Sequence, residues 1–380
     1  MCYKPETKAI RGNPLHQSTN YLTQAFSGQD EQFRRAFDVL RSGMDQRAFP
    51  GAAVAITHRG RLIAHKGLGH FTYETNSPAV SAETIYDLAS VSKALATTTA
   101  CMVLYERGKL QLEQPLVELL PSFAGPDPKR RQVTLRMLLA HSSGLPAYVK
   151  LFQTAHRKED LLQQALQVPL AADPGSRAEY SDIGFILLGE VLQLLADQPL
   201  DTFCRTEIFS RLGLQHTAFN PPEAWKPFIP PTEEDRTFRK RLIQGEVNDE
   251  NASVMGGVAG HAGCFSTAMD VSIFAHCMLN GGTPLLKPET IAIFTRREDF
   301  PPGTSRTLGW DTPSQPSQSG KYFSPRAYGH LGYTGTSLWI DPERQLSVTL
   351  LTNRTWPDRS SQAIKQIRPA FHDAVVEAIV

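Results

Sequence analysis

Strand-forming patterns lie at the two ends of this sequence, and helix-forming patterns lie between them. Residues 52–57 and 62–65 are short β-prone runs on either side of a His-Arg-Gly-Arg turn, which predicts a β-hairpin. Residues 335–340 and 346–351 flank an Asp-Pro-Glu-Arg turn and predict a second hairpin. Strands at both ends imply one sheet assembled from the N-terminal and C-terminal parts of the chain. The pattern therefore predicts an α+β fold, an α/β sandwich in which helices flank an antiparallel sheet and a large, mostly helical segment is inserted.

The helical periodicity of the remaining chain suggests a division into subdomains. Apolar residues recur every three or four positions in four segments, which predicts helices at residues 90–107, 161–166, 183–194 and 364–375. At 380 residues the chain has room for two structural units or one large fold. We therefore divide it into a discontinuous sheet subdomain (35–85 plus 305–380), a mostly helical subdomain (86–304) and an N-terminal extension (1–34).

The charge balance and the cysteines exclude several classes of protein. Lys and Arg number 39 and Asp and Glu 38, a formal net charge of +1, whereas a nucleic-acid-binding protein normally carries a basic surplus. The five cysteines are scattered and odd in number, so they are predicted to be reduced thiols, not a disulfide framework or a zinc site. They are Cys2, Cys101, Cys204, Cys264 and Cys277. We therefore expect no nucleic-acid partner, metal or cofactor.

The sequence shows neither a membrane span nor a targeting segment. The longest apolar stretch, residues 185–196, is shorter than the roughly 18 residues of a span and contains Glu190. The N-terminus carries Lys4, but no apolar run follows it, as one would in a signal peptide. This predicts a cytoplasmic protein, although an exported chain trimmed of its leader would look the same. The sequence indicates no particular oligomeric state.

One S-x-x-K motif, Ser90 to Lys93, has the spacing needed for nucleophilic chemistry. At a helix start, side chains three residues apart lie on one face, about 5–6 Å apart at Cβ. A serine hydroxyl needs a base to become a nucleophile, and a desolvated lysine can serve as that base or stay charged and assist another. The helix N-terminus also favours negative charge that develops nearby. The alternative is that Ser90 only caps a helix and Lys93 is a solvated residue.

Two later segments bear on how the S-x-x-K motif is interpreted. Tyr180-Ser181-Asp182 precedes a helix, and Tyr333-Thr334-Gly335 opens a strand. In this order the three motifs resemble those of the penicillin-recognising serine hydrolases, namely class C β-lactamases, D-alanyl-D-alanine carboxypeptidases and β-lactamase-like carboxylesterases. Further similar segments are residues 87–90, 138–146, 256–263 and 351–354. The resemblance runs from about residue 35 to the C-terminus and implies the β-lactamase/transpeptidase-like fold.

The resemblance also implies a role for each motif residue. Ser90 would be the acylated nucleophile, Lys93 its activating partner, and Tyr180 a general base or a proton shuttle to the leaving group. The oxyanion hole would use the backbone N–H groups of Ser90 and Thr336. The substrate-binding residues would be Asp182, Tyr333, Thr334 and Gly335. The implied reaction is a two-step acyl transfer from a small-molecule acyl substrate through an acyl-Ser90 intermediate to water.

Two departures from the family pattern bear on the substrate. Asp182 stands where the second motif usually ends in Asn, and an ionised Asp cannot donate a hydrogen bond to a substrate. A carboxylate near Lys93 would also keep that lysine protonated and shift the base role toward Tyr180. Tyr333 stands where the third motif usually begins with Lys or His, and a neutral hydroxyl cannot bind a carboxylate by charge. We therefore expect small esters, or amides without a free carboxylate, unless His330 or Arg354 supplies charge nearby.

Several alternatives remain open from the sequence. The same motifs fit a β-lactamase, a D-amino-acid peptidase or carboxypeptidase, an acyltransferase, or a non-catalytic penicillin-binding-like sensor. The His141-Ser142-Ser143-Gly144 segment is predicted to be a Gly-terminated turn and not a second nucleophile. Residues 256–263 are predicted to form a loop before a helix capped near Thr267, with His261 as a candidate cleft residue. Residues 248–251 are predicted to form a polar loop and not a metal site.

Overall fold

The computed structural model describes residues 22–314 and 316–380, and the strands of its main sheet come from both ends of that range. The strands are β1 (Thr23–Gln24), β2 (Gly51–His58), β3 (Arg61–Gly69), β4 (Tyr86–Asp87), β5 (Ala218–Phe219), β6 (Glu233–Asp235), β7 (Arg241–Ile243), β8 (Cys264–Ser266), β9 (Tyr328–Leu331), β10 (Ser337–Asp341) and β11 (Leu346–Thr352). The main sheet has the order β1-β3-β2-β11-β10-β9. Its strand pairs are antiparallel except β1–β3. Small sheets β4-β8-β5 and β6-β7 lie outside it.

Helices make up most of the segment between the two groups of sheet strands. They are α1 (Gln29–Gln32), α2 (Arg34–Asp45), α3 (Thr99–Glu106), α4 (Leu116–Leu119), α5 (Leu135–Leu139), α6 (Lys158–Gln167), α7 (Asp182–Ala196), α8 (Leu200–Cys204), α9 (Ser210–Leu212), α10 (Glu250–Val254), α11 (Ala268–Leu279), α12 (Pro288–Thr295) and α13 (Ile364–Glu377). Short 3₁₀ turns cover Pro121–Phe123, Pro128–Gln132, Leu151–Gln153 and Glu223–Phe228, and π-helical turns cover Lys93–Thr98 and Arg205–Phe209. The four predicted helices are confirmed.

Both predicted hairpins are confirmed, and β2 joins them. In the β2–β3 turn, Arg59 and Gly60 both have positive φ angles of 50° and 73°, the conformation whose twist matches two antiparallel strands. Strand β2 pairs from Ala52 to His58 with β11 of the second hairpin. The two ends of the chain therefore share one sheet, and the predicted fold class is confirmed.

Helices cover both faces of this sheet. Alternate residues of β2 point to opposite sides, so Val54 and Ile56 pack with α2 and α13 while Ala53 and Ala55 face the larger core that contains α11. Every residue of β2 from Gly51 to Thr57 is buried as a result. The larger core continues from the sheet into the helical segment without interruption, so that Tyr328 of edge strand β9 shares one core with residues of α5 and α7.

The N-terminal boundary differs from the prediction in one respect. Strand β1 pairs with β3, so Thr23 and Gln24 of the predicted extension belong to the sheet. Residues 1–21, including Cys2, lie outside the described residues. The remaining subdomain boundaries stay a prediction. Cys101, Cys204, Cys264 and Cys277 are buried free thiols, as predicted.

Within the described part of the chain, no single helix is long and apolar enough to cross a membrane. Helix α7 and the segment Leu200–Leu212 reach the required length and apolarity only when taken together, and they are bent by 72° relative to each other.

Candidate active site

The turn before Ser90 is held by the carboxylate of Asp87. Asp87 Oδ1 accepts the N–H of Ala89 at 2.8 Å, and Oδ2 accepts the N–H of Asn248 at 2.7 Å. Ala89 has a φ of 47°, a left-handed conformation that costs free energy in a residue other than glycine and that these contacts maintain. The turn ends β4 and places Ser90 at the start of the helix that continues into α3, with Lys93 one turn further on.

Lys93 is fully buried, and three acceptors surround its amino group. Nζ donates to Ser90 Oγ at 3.0 Å and to the carbonyl of His261 at 2.8 Å, and it lies 2.6 Å from Oδ1 of Asp182. Three acceptors match the three N–H bonds of an ammonium group. Burial lowers the pKa of Lys93, and the carboxylates of Asp182 and Asp249 oppose that change. The interpretation of Lys93 as a solvated residue is therefore wrong.

Tyr180 completes the contacts to the nucleophile. Its hydroxyl donates to Ser90 Oγ at 2.8 Å, so Oγ receives hydrogen bonds from both Lys93 and Tyr180. Burial raises the pKa of Tyr180 well above its ordinary value, and the nearby carboxylate of Asp182 adds to this. The phenol is therefore neutral at rest. We call Lys93, Tyr180 and Asp182 the helical wall of the cleft.

The structure corrects the predicted third motif. Thr334 and Thr336 are 0% exposed, and their hydroxyls donate to the carbonyls of Asp87 at 2.9 Å and Leu88 at 3.0 Å. Gly335, with a φ of 95°, forms the turn between them. These three residues anchor the nucleophile turn to the sheet from behind. The predictions that Thr334 and Gly335 line the substrate site and that Thr336 supplies an oxyanion N–H are therefore wrong.

Residues 330–333, which we call the sheet-edge wall, face the cleft instead. They end edge strand β9 and begin the turn to β10. Within the described residues, the backbone N–H groups of Tyr333 and Ser90 have no hydrogen-bond acceptor. The His-x-Gly pattern at His330 to Gly332 fits the usual Lys or His start of the third motif, and it lies three residues before the predicted one. A His-x-Gly triplet next to Tyr-Thr-Gly was the signal that sequence reasoning missed.

His330 does not supply a positive charge near Tyr333. Its Nδ1–H donates to the carbonyl of Leu331 at 2.8 Å, because a carbonyl can only accept, and Nε2 is left as a lone-pair acceptor. Burial lowers the pKa of His330 to about 3, with Lys93 and Arg306 as further causes. The ring is therefore neutral at physiological pH, and it lies 6.1 Å from the ring of Tyr180.

Two arginines stack on the ring of Tyr333. Cζ of Arg354 lies 4.3 Å and Cζ of Arg359 5.5 Å from the ring centre. Arg359 forms ion pairs with Glu233 at 2.7 Å and Glu250 at 2.9 Å. The guanidinium of Arg354 donates only to the carbonyls of Tyr333 and Ser361, and no carboxylate of residues 22–314 or 316–380 lies within 4.0 Å of it. Of the two residues that the sequence left open as sources of charge near Tyr333, Arg354 is therefore the one that supplies it.

Residues 248–251, predicted as a polar loop, are a loop only at Asn248 and Asp249, because Glu250 and Asn251 belong to α10. Asn248, Asp249 and Glu250 line the cleft. Asp249 Oδ1 accepts the N–H of Ala252 at 2.8 Å, which caps α10, and lies 2.8 Å from Nε2 of His261. His261 in turn supplies its carbonyl to Lys93. The predicted cap of α11 is confirmed, since Thr267 Oγ1 accepts the N–H of Asp270 at 3.2 Å. Asp87 lies three residues before Ser90, but its contacts form in an irregular turn that no periodic pattern predicts, and Asp249 is distant in the sequence, so sequence reasoning did not find their roles.

These walls enclose a cleft of about 1420 Å³. Ligand pockets for small molecules have volumes of about 300–1,000 Å³, so this cleft has room for more than a short acyl group. Its lining mixes both charges and several aromatic rings. The arrangement combines a serine hydroxyl with two proton-handling neighbours and two unpaired backbone N–H groups, which are the components of acyl transfer.

The comparisons with known proteins agree with this chemistry. Residues 36–369 match the protein family described as Beta-lactamase. The chain is 36% identical over 304 residues to a putative D-alanyl-D-alanine carboxypeptidase of Escherichia coli (strain K12), covering 71% of this chain and 69% of that protein. It is 33% identical over 345 residues to an N-acetylmuramyl-L-alanine amidase of Bacillus subtilis (strain 168), covering 80% and 77%.

A solved structure shows the same fold. EstCE1, described as a hydrolase with promiscuous acyltransferase activity, superposes with a TM-score of 0.73 and is 24% identical, covering 92% of this chain and 100% of that one. At that identity the similarity concerns the fold alone. From the family match over most of its length and from relatives more than 30% identical, the chain belongs to the β-lactamase family of serine hydrolases.

Proposed function

We propose that this protein hydrolyses small amides or esters through an acyl-enzyme intermediate on Ser90. The observation that carries the proposal is the pair of hydrogen bonds that Ser90 Oγ receives, from Lys93 Nζ at 3.0 Å and from the hydroxyl of Tyr180 at 2.8 Å. Lys93 is buried and Tyr180 is partly buried, and both are positioned by other contacts, so the nucleophile is surrounded by groups that can move its proton.

In the acylation step, Ser90 Oγ attacks the acyl carbon of the substrate. Its proton passes to the Tyr180 oxygen while the phenol gives its own proton to the leaving nitrogen or oxygen. The new Oγ–carbon bond forms, and the bond from carbon to the leaving atom breaks. A shuttle of this kind suits a phenol whose pKa is raised, because no free phenolate has to accumulate. Lys93 stays cationic beside Asp182 and stabilises the negative charge that develops on Oγ.

The second step repeats this proton path with water. A water molecule attacks the acyl carbon, gives its proton to the Tyr180 oxygen, and the phenol proton returns to Ser90 Oγ as the acid leaves. In both steps the negative oxygen of the tetrahedral intermediate would accept hydrogen bonds from the backbone N–H groups of Ser90 and Tyr333. Donors of this kind lower the barrier because they are aimed in advance at charge that appears in the transition state.

We propose amides as substrates on the same footing as esters. The relatives from Escherichia coli and Bacillus subtilis are named for a carboxypeptidase and an amidase activity, and both names describe cleavage of an amide bond. The volume of the cleft also leaves space for a leaving group larger than an alcohol. An acyltransferase or a β-lactamase would use the same intermediate, and the acceptor or the ring it opens would distinguish them.

A second candidate is a peptidase for substrates that end in a free carboxylate. It is favoured by Arg354, whose guanidinium lies against Tyr333 without a carboxylate partner in the described chain. Arg368 also lines the cleft, and burial together with Arg354 lowers its pKa to about 9, as expected for two neighbouring cations. A substrate carboxylate would relieve that repulsion.

The test is a substrate panel read against a nucleophile variant. Rates would be measured for p-nitrophenyl acetate, an N-acyl-D-alanyl-D-alanine peptide and a chromogenic cephalosporin, with wild-type protein and Ser90→Ala. We expect hydrolysis of the ester or the peptide that exceeds cephalosporin turnover and is lost in the variant. Rapid cephalosporin turnover without ester or peptide hydrolysis would contradict the substrate class. Full activity of Ser90→Ala would contradict the nucleophile, and a protein that binds but turns over nothing would be a sensor.

A further inference from the structure

His141 belongs to a sequence segment that the proposed chemistry does not use, yet it contacts the chain on both sides of Tyr180. Its carbonyl accepts the N–H of Glu179 at 2.8 Å, and its Nδ1 accepts the N–H of Ser181 at 3.1 Å. Its ring lies 4.7 Å from the ring of Tyr180 and 5.0 Å from that of Phe185, measured between centres. One buried residue therefore holds the backbone before and after Tyr180 and packs on its side chain.

The backbone conformation of His141 allows its carbonyl and its ring to form both hydrogen bonds. The residue follows helix α5 in a left-handed conformation with a φ of 56°, so the chain reverses there. This conformation is uncommon outside glycine, and Asn, Asp and His adopt it more readily than other residues. The reversal turns both the carbonyl and the ring of His141 toward the segment that ends at the start of α7.

The hydrogen bond from the N–H of Ser181 to His141 Nδ1 acts at the N-terminus of α7. Ser181 caps α7, and its Oγ accepts the N–H of Gly184 at 3.1 Å and donates to the carbonyl of Pro146 at 2.7 Å. Its own N–H precedes the helix, so it has no partner within α7 and requires an external acceptor. His141 Nδ1 is that acceptor. Tyr180 and Asp182, which contact Ser90 and Lys93, are the residues immediately before and after it.

The imidazole must be neutral with Nδ1 unprotonated for this bond to form. Burial lowers the pKa of His141 well below its ordinary value, and the positive charges of Arg306 and Lys93 act in the same direction. A protonated ring would place an N–H opposite the N–H of Ser181, which would be repulsive.

We propose that His141 is a positioning residue for acylation, which keeps the phenol of Tyr180 on Ser90 Oγ and the carboxylate of Asp182 on Lys93 Nζ. The inference rests on the proposed acyl-enzyme chemistry at Ser90. His141 makes no hydrogen bond to Ser90 within the described chain, so its effect passes through residues 179–182. Displacements of about 1 Å in a catalytic group can lower a rate about 10²-fold.

The experiment compares three variants in single-turnover acylation by p-nitrophenyl acetate. His141→Gly keeps the left-handed backbone and removes the ring, His141→Ala removes the ring from a strained backbone, and His141→Asn keeps an acceptor near the position of Nδ1. His372→Ala is the control, because His372 is an equally buried histidine that bonds Gln318 and Ser337 beneath the sheet, away from the cleft. Thermal unfolding of each variant would be measured in parallel.

We expect the acylation rate constant to fall about 10–100-fold in His141→Gly and His141→Ala with little change in KM, and to stay within about threefold of wild type in His141→Asn. His372→Ala should lose thermal stability but keep its acylation rate. Wild-type acylation in folded His141→Gly, or an Asn variant as slow as the Gly variant, would overturn the positioning role. Absence of any acylation of the wild-type protein would overturn the proposed function itself.

Discussion

The helical wall and the sheet-edge wall meet at Ser90, but they act through different atoms. Lys93, Tyr180 and Asp182 contribute side-chain groups that hold or move protons, and each is fixed by a hydrogen bond or an ion pair. The sheet-edge wall contributes the backbone N–H of Tyr333, which is positioned by the turn between β9 and β10. Changes in the helical wall should therefore alter proton transfer and its pH dependence. Changes in the sheet-edge wall should alter transition-state binding through backbone displacement.

The largest effect is expected from the helical wall. Tyr180→Phe removes the only hydroxyl that donates to Ser90 Oγ in the described chain and keeps the ring that packs on His141. General acid–base groups contribute about 10²–10⁴-fold, so we expect kcat to fall by that factor with little change in KM. Steady-state kinetics with p-nitrophenyl acetate would measure it. A variant within a few-fold of wild type would show that the proton takes another path.

A slightly smaller effect is expected from the sheet-edge wall. A Cβ added at Gly332 would collide with Thr336 Oγ1 and lie 2.5 Å from the carbonyl of Leu88, so Gly332→Ala must displace the turn that presents the N–H of Tyr333. Loss of one oxyanion donor costs about 10²–10³-fold in kcat, and we expect a loss of that size. Gly28→Ala is the matched control, because nothing lies within 4 Å of its added Cβ. Equal activity of the two variants would remove Tyr333 from the oxyanion hole.

Arg354→Gln should separate binding of the substrate charge from catalysis. For an N-acyl-D-alanyl-D-alanine peptide we expect KM to rise about tenfold, since a hydrogen bond to a charged group contributes about 1.5–3 kcal/mol. The same peptide with an amidated C-terminus provides the control and should show no change. If KM changes equally for both peptides, Arg354 supports the fold of the wall and does not bind a carboxylate.

The smallest expected effect is a pH dependence of the activity that arises from Asp87, which holds the turn before Ser90. Burial raises the pKa of Asp87 to about 6, with Asp249 adding to the shift and Arg239 and the N–H groups of Asn248 and Ala89 opposing it. Protonation below about pH 6 weakens the contacts that hold the turn before Ser90, so activity should fall severalfold on an acid limb near that pH. Asp87→Asn should remove this limb and leave a lower, flat rate. A limb that persists unchanged in the variant would assign it to another group.

This acid limb should not reflect unfolding caused by Asp87. A carboxyl with a folded pKa above its unfolded value binds its proton more tightly in the folded state, so between about pH 6 and pH 4 its titration favours the folded form as the pH falls. Circular dichroism at pH 5 should therefore still show a folded protein while the activity has declined.

In the helical wall, spacing alone connected Lys93 to Ser90, because the two residues are one helical turn apart. Tyr180 and Asp182 were predicted from the family resemblance of their motif, and the structure places both beside Ser90 and Lys93. The two hairpins were also predictable, since the turn residues lie between short β-prone runs. The strand β1 was not, because its two residues pair with β3 through tertiary contact alone.

The sheet-edge wall was misassigned by three residues for a physical reason. His330 to Gly332 and Tyr333 to Gly335 are adjacent triplets that both end in glycine, and strand patterns do not decide which of them faces solvent. Burial decides which triplet faces the cleft, because the hydroxyls of Thr334 and Thr336 donate to the carbonyls of Asp87 and Leu88 behind it. Arg354 likewise follows the C-terminal end of β11 and contacts the ring of Tyr333. This contact depends on the pairing of the strands, which the sequence pattern does not give.

The most direct test of the account is rapid-quench mass spectrometry of the intact protein during turnover of p-nitrophenyl acetate. We predict a transient mass increase equal to one acetyl group, located on Ser90 by peptide mapping, which forms before steady state and decays at the turnover rate. In Tyr180→Phe the same adduct should form more slowly. Turnover without an adduct on Ser90, or with the acetyl group on another residue, would contradict the central role of Ser90.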